Sequence, residues 1–269
     1  MIDKEQLKKL QKIEASILLS VDAFCGQNCI NYSLYEGSAI GAIRHHGFVP
    51  WDDDIDICMK RKDFERFQDL WHSHPIEGLF MQGTRKDDHS NINHIKICKD
   101  NTVYASFEEY KRPVHHGVWI DIFALDSVPQ NNRDRKKQLN WAKIRIILTR
   151  DRVIPNGGKA QKIVSKLLVS LPNRVKNRLK EKAEKEVTKY SDCDDCICLK
   201  SFNSVAGINS SRGFPSNCMD HFTTVEFEGH QISISNEYDE MLRRSFGNYM
   251  ELPPIEKRVP SHDADIIQL

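Results

Sequence analysis

Hydrophobic residues in positions 4–27 recur at helical spacing (Leu7, Leu10, Ile13, Ile17, Leu18, Val21, Phe24), which predicts a long amphipathic helix packed on a core. Asn28 ends that pattern. Residues 30–35 predict a first strand, Glu36-Gly37-Ser38 a tight turn, and residues 39–44 a short helix. In Asp54-Ile55-Asp56-Ile57 the period becomes 2, so a strand would carry both aspartates on one face and both isoleucines on the other. Residues 63–71 predict a helix that Pro75 keeps short, and 79–82, 93–98, 102–105 and 118–125 have strand character. Helices are predicted over 141–149 and 161–171 with a flexible turn at 154–158, then a strand near 225–229 and a helix over 236–246 stopped by Gly247.

The alternating segment carries the first chemistry. Two ionised carboxylates about 6 Å apart repel by roughly 3 kcal/mol at an effective dielectric of ~20. Either one is protonated or a hard cation lies between them, and oxygen-only ligands favour Mg²⁺ or Mn²⁺ over zinc. An EF-hand loop is excluded, because Ile57 and Asp63 stand where it needs Gly and Glu. A solvated acidic turn is the plainer alternative. Asp52 shares the face of Asp54 as an auxiliary ligand, whereas Asp53 points away and braces Arg44 or the turn.

Asp121 is a lone acid in the apolar run Val118-Trp119-Ile120-Asp121-Ile122-Phe123, so it must be paired, protonated or metal-bound. Asp126, in a turn-like Asp-Ser-Val-Pro context, reads as exposed and structural. Gly37 and Ser38 precede a helix whose N-terminal amides can seat phosphate oxygens.

The run from Gly37 to Asp56, GSAIGAIRHHGFVPWDDDID, closely resembles the signature of the LicD family. The tail FEG…YDEMLRRSFGNYMELPPIEKR resembles that family's C-terminal pattern, with Asn248 where an Asp is usual. The resemblance implies an α+β fold: a nucleotidyltransferase-like core with a mixed sheet flanked by helices, plus a basic helical insert. The core would be 1–130, the insert 131–192, and 193–269 would complete the core domain. It further implies metal-dependent transfer of a phospho-alcohol, typically phosphocholine, from a CDP-activated donor such as CDP-choline to a cell-surface glycan, with release of CMP. Fukutin and fukutin-related protein are eukaryotic relatives. Asp54, Asp56 and Asp121 would hold Mg²⁺ or Mn²⁺ and serve catalysis; Gly37, Ser38, Arg44, His45 and Lys96 would bind substrate. A glycosyltransferase using Asp-x-Asp with a nucleotide sugar, and a non-catalytic protein that keeps the fold, are the competing readings.

Charge changes the picture at one place. Residues 133–189 hold 18 Lys or Arg against 5 Asp or Glu, while the whole 269-residue chain has a formal net charge of +1. The stripe Ile163, Val164, Leu167, Leu168 reads first as packing on the core with its lysines solvated; contact with an anionic membrane is the alternative. No nucleic-acid-binding module accompanies the charge. The start of the chain resembles no signal peptide and no apolar run is long enough to span a bilayer, so a cytoplasmic protein, peripheral at the inner membrane face on the second reading, is expected. Free thiols are then expected for the eight cysteines, although Cys193, Cys196, Cys218 and His221 have zinc-like spacing.

Overall fold

The computed structural model describes residues 2–83, 91–152, 158–191, 196–203 and 213–269. Helix α1 (Lys4–Gln27) starts on a capping box: Asp3 accepts the Glu5 and Gln6 N–H groups at 2.8 Å, and Gln6 accepts the Asp3 N–H. Strand β1 (Ser33–Leu34) leads to α2 (Glu36–His45), β2 (Asp56–Lys60), α3 (Arg61–Ser73), β3 (Leu79–Gln82), β4 (Ile95–Lys99), β5 (Val103–Ala105) and the one-turn α4 (Phe107–Tyr110). Next come β6 (Trp119–Pro129), α5 (Asn132–Arg150), α6 (Lys159–Val169) and α7 (Asn173–Thr188). The chain closes with β7 (Cys196–Lys200), β8 (Phe222–Phe227), β9 (His230–Ser235), α8 (Tyr238–Phe246) and β10 (Ile266–Gln268).

The main sheet is mixed, in the order β1-β2-β6-β4-β3, with β7 pairing on the far end of β6. Only β2 and β6 run parallel; the other neighbours are antiparallel. Two antiparallel pairs, the hairpin β8–β9 and the long-range pair β5–β10, complete the strands. Register decides what faces what. Ile57 lies opposite Ile122, and Ile122 opposite Ile95, so one face is a continuous apolar surface with all three fully buried. Helices α1 and α3 pack into that core through Leu10, Ile17, Leu18, Phe64 and Phe67. A second cluster around Cys58, Leu125, Leu199 and Met219 lies on the opposite side of the strands.

Several expectations shift. The strand expected at 30–35 is reduced to Ser33 and Leu34. Instead of a tight turn, Glu36 (φ 45°) opens α2 directly, so Gly37 and Ser38 lie in its first turn. Helix α7 has too thin an apolar stripe to predict, since only Lys176, Ala183 and Val187 of it are buried. The turn expected at 154–158 falls largely outside the described residues.

Asp126 is not exposed. It is 1% accessible inside β6 and takes both Nε and Nη2 of Arg61, at 2.6 and 2.9 Å. Arg61 also reaches Glu184 of α7, which in turn accepts Arg145 of α5 at 2.6 Å. These ion pairs fasten the basic helices to the sheet. Replacing Asp126 with Ala strands a buried guanidinium, and should lower stability by about 3–5 kcal/mol. Urea unfolding measures this; a loss within the error of a surface substitution would show that the pair carries no such weight.

Candidate active site

The register that builds the core also builds the site. Asp56 of β2 lies directly opposite Asp121 of β6, and Lys96 of β4 lies opposite Asp121 from the other side. All three therefore share the face turned away from Ile57, Ile95 and Ile122. Asp54 sits two residues before the strand, and one carboxylate oxygen each of Asp54, Asp56 and Asp121 lies within 4.8 Å of the others. Helix α2 brings its N-terminus to the same place. The Ser38 hydroxyl accepts the Asp56 N–H at 2.8 Å, and a Cβ on Gly37 would stand 2.7 Å from Asp52 Oδ2. Only glycine leaves room for that carboxylate against the first turn. The partial positive charge of the helix end faces the acids.

The electrostatics separate these acids into two kinds. Burial pushes Asp121 up, but Lys96, His94 and the Trp119 indole N–H outweigh it and hold the carboxyl at about 2. Asp53, likewise raised by burial, is held at about 2 by His262, Tyr104 and the Ser261 N–H. Burial and neighbouring carboxylates lift the rest: Asp52 to about 8, and Asp54 and Asp56 upward, although His262 pulls Asp54 down in part. Close carboxylates raised first by burial and then by one another are a site where added positive charge would be favourable.

The donor set fits a hard cation. Magnesium–oxygen bonds of about 2.1 Å allow ligand oxygens up to about 4.2 Å apart, and these oxygens lie within 4.8 Å of one another. Among the described residues, groups able to hold a metal are this triad and the contiguous Asp52, Asp53 and Asp54. Cys196, Cys218 and His221 form no such group there; Cys218 is buried near Cys58, and Cys193 lies outside the described residues.

Residues 29–146 match the family described as LicD/FKTN/FKRP, nucleotidyltransferase domain. The lipopolysaccharide cholinephosphotransferase LicD of Haemophilus influenzae is 30% identical over 271 aligned positions, covering 96% of this chain and 97% of that protein. The chain belongs to the LicD family. Two uncharacterized rickettsial proteins, from Rickettsia typhi and Rickettsia prowazekii, match only 44 positions, at 41% and 39% identity, or 16% of this chain and 14% and 16% of theirs.

In this LicD-family chain the expected residues do not all converge. Lys96 does: its Nζ lies 3.6 Å over the Trp119 ring, beside Asp121. Arg44 and His45 occupy the opposite end of α2, roughly 9 Å along the axis from Ser38. There Arg44 bonds the Tyr249 carbonyl at 2.7 Å and His45 Nε2 at 2.9 Å, tying down the C-terminal segment instead of facing the acids. Asp53 braces neither Arg44 nor a turn. It accepts the Tyr104 hydroxyl at 2.8 Å, the Ser261 N–H and hydroxyl, and the His262 N–H.

Four groups went unread in the sequence. His94 Nε2 is 3.1 Å from Asp121 Oδ1, and His262 Nδ1 is 3.9 Å from Asp54 Oδ2. Trp119 donates its indole N–H to Asp121 at 3.2 Å. Glu14, on the buried face of α1, is 1% accessible, and its Oε2 has no hydrogen-bond partner among the described residues. Signals existed for two of them. His94-Ile95-Lys96-Ile97 repeats the alternation of Asp54-Ile55-Asp56-Ile57, and Glu14 interrupts the stripe Leu7, Leu10, Ile17, Val21.

Burial, followed by the charges of Asp54, Asp53, Asp52 and Asp121, raises Glu14 well above the usual glutamate range. A carboxyl raised in the folded state contributes full stability below its unfolded pKa, and that contribution is lost as pH climbs toward the folded value. In metal-free protein, Glu14→Gln should thus gain melting temperature relative to wild type between about pH 5 and pH 8. A difference that stays flat over that window would show that Glu14 is not strained by its neighbours.

Proposed function

We propose that this protein transfers a phospho-alcohol, with phosphocholine the first choice, from a CDP-activated donor to a hydroxyl of a cell-surface glycan. The observation that carries the reading is the convergence of Asp54, Asp56 and Asp121 beside the α2 N-terminus, in a chain aligned almost end to end with a lipopolysaccharide cholinephosphotransferase. In this reading the mixed sheet is a nucleotidyltransferase-like core. Residues 131–192 are an insert, and 193–269 return to the core, as the pairing of β7 with β6 supports.

Asp54, Asp56 and Asp121 would hold Mg²⁺ or Mn²⁺, which supplies Lewis-acid stabilisation of charge developing on the phosphoryl oxygens. The chain's own groups do the rest. Backbone N–H groups of Gly37 and Ser38 lack intrahelical partners in the first turn of α2 and can receive donor phosphate oxygens. Lys96 offsets negative charge at Asp121, while His94 and Trp119 fix the orientation of that carboxylate. The acceptor oxygen bonds to the phosphorus of the phospho-alcohol, the bond to CMP breaks, and the hydroxyl proton passes to a base in the acid cluster. An open cavity of about 1140 Å³ adjoins the site at Trp119, Tyr104 and His262. Its lining combines aromatic Tyr104 and Trp119 with cations (Arg150, Lys180) and acids (Glu108, Glu109, Asp151), a mixed surface suited to a zwitterionic phospho-alcohol or a polar acceptor.

Asp54→Asn or Asp56→Asn should abolish choline incorporation into a lipopolysaccharide acceptor with CDP-choline and magnesium, while circular dichroism remains native. Near-normal turnover in either variant would remove the assignment. CDP-choline and UDP-sugars supplied side by side separate this reading from a glycosyltransferase: cleavage confined to a UDP-sugar would reverse it. A non-catalytic fold would show no magnesium-dependent binding of CDP or CMP by calorimetry.

A further inference from the structure

Helix α6 is turned the wrong way for a core element. Among its described side chains the fully buried position is Ser165, whereas Ile163, Val164 and Leu167 are 60%, 49% and 63% exposed. The expectation that this stripe packs on the core is therefore not met; Leu168 alone of its four residues is half-buried. At 100° per residue the three exposed side chains fill an arc about 100° wide. Lys159 and Lys166 border one edge of that arc, Lys162 lies just beyond, and Ser165 is nearly opposite. All three lysines are exposed. Val175, near the start of α7, adds a further apolar side chain that is 40% exposed.

The charge around the arc names its occupant. Residues 152–180 contain eight Lys or Arg and no Asp or Glu. A protein partner or a second copy of this chain would be expected to meet apolar residues ringed by charges of both signs. The charged side chains of α6 are lysines alone, gathered on one edge of the arc, and the nearest acid along the chain, Asp151, is paired to Lys176. That edge complements an anionic lipid surface, where lysine stems lie along the apolar phase and their ammonium groups meet the headgroups.

We propose that α6 and the start of α7 form an interfacial docking face for an anionic membrane. Ile163, Val164 and Leu167 enter the headgroup–acyl boundary, while Lys159, Lys162 and Lys166 contact lipid phosphates. The face lies on the same helical arm as Arg150, Asn173, Lys176 and Lys180, which line the cavity beside the acid cluster. Docking there would present a lipid-built acceptor to the cavity. That consequence rests on the proposed function, but the docking itself does not.

The test is sedimentation of the full chain with sucrose-loaded vesicles of phosphatidylcholine alone or mixed with phosphatidylglycerol, with no substrate present. Wild type should pellet with the mixed vesicles and not with phosphatidylcholine alone, and about 0.5 M salt should weaken the binding. The doubles I163N/L167N and K162Q/K166Q should each lose about tenfold in partitioning. Their melting temperatures should stay native, since these side chains are exposed. No pelleting of wild type with mixed vesicles at low salt, or unchanged pelleting of I163N/L167N, would overturn the proposal. So would a two-chain mass in light scattering that I163N/L167N reduces to one chain, with no lipid binding by wild type. Transfer to a soluble acceptor fragment is read separately, so a failed vesicle result leaves the assignment of Asp54 and Asp56 standing.

Discussion

Electrostatic repulsion among carboxylates is the constraint around which the site is built. Asp54, Asp56 and Asp121 offer oxygens within 4.8 Å of one another, with Asp52, Asp53 and Glu14 close by. At an effective dielectric of ~20 each ionised pair at that separation repels by roughly 3.5 kcal/mol. The sheet holds the acids there regardless, because sliding β2 against β6 by one residue would turn Ile57 out of the apolar core and Asp56 into it. The burial of the isoleucines keeps the aspartates together.

That strain is relieved unevenly, and the unevenness is informative. Asp121 is kept charged by Lys96 and His94 and by the Trp119 indole N–H, and Asp53 is bonded by Tyr104, Ser261 and the His262 amide. Asp53 is thereby a structural anchor that draws the C-terminal segment over the site and places His262 against Trp119, with ring centroids 5.3 Å apart. Asp54, Asp56 and Asp52 lack comparable cationic partners and stay raised. The fold thus compensates two acids and leaves three others raised, by burial first and by their acidic neighbours second.

What could be read from the sequence follows from which signals are local. Period-2 alternation places Asp54, Asp56, Ile55 and Ile57 correctly, and the lone acid in an apolar run marks Asp121 as needing partners. The α1 stripe fixes a 24-residue helix to within a residue. Other features depend on contacts made far along the chain. Asp126 looks like a turn residue until Arg61, 65 positions away, is folded against it. His262 has no periodic neighbours and reaches the acids only through the anchor at Asp53. Arg44 and His45 follow the motif in sequence but ride to the other end of α2, a displacement that helix geometry imposes once the helix begins at Glu36.

The basic arm shows the same dependence on packing. Its attachment is polar in part: Arg145 and Arg61 share Glu184, Arg145 bonds the Phe202 carbonyl, and Gln138 bonds the Ser127 and Val187 carbonyls. An apolar cluster of Val128, Ala142, Ile146, Val187 and Phe202 seats α5 and α7 as well, whereas among the described side chains of α6 Ser165 alone is fully buried. An apolar stripe usually predicts burial because nothing else would compensate its exposure to water. Here the stripe remains outward while a serine is buried, so the amphipathic pattern points to an environment that the isolated chain does not supply. The same helical pattern can serve a core or an interface, and the surrounding lysines with no acid among them favour the interface.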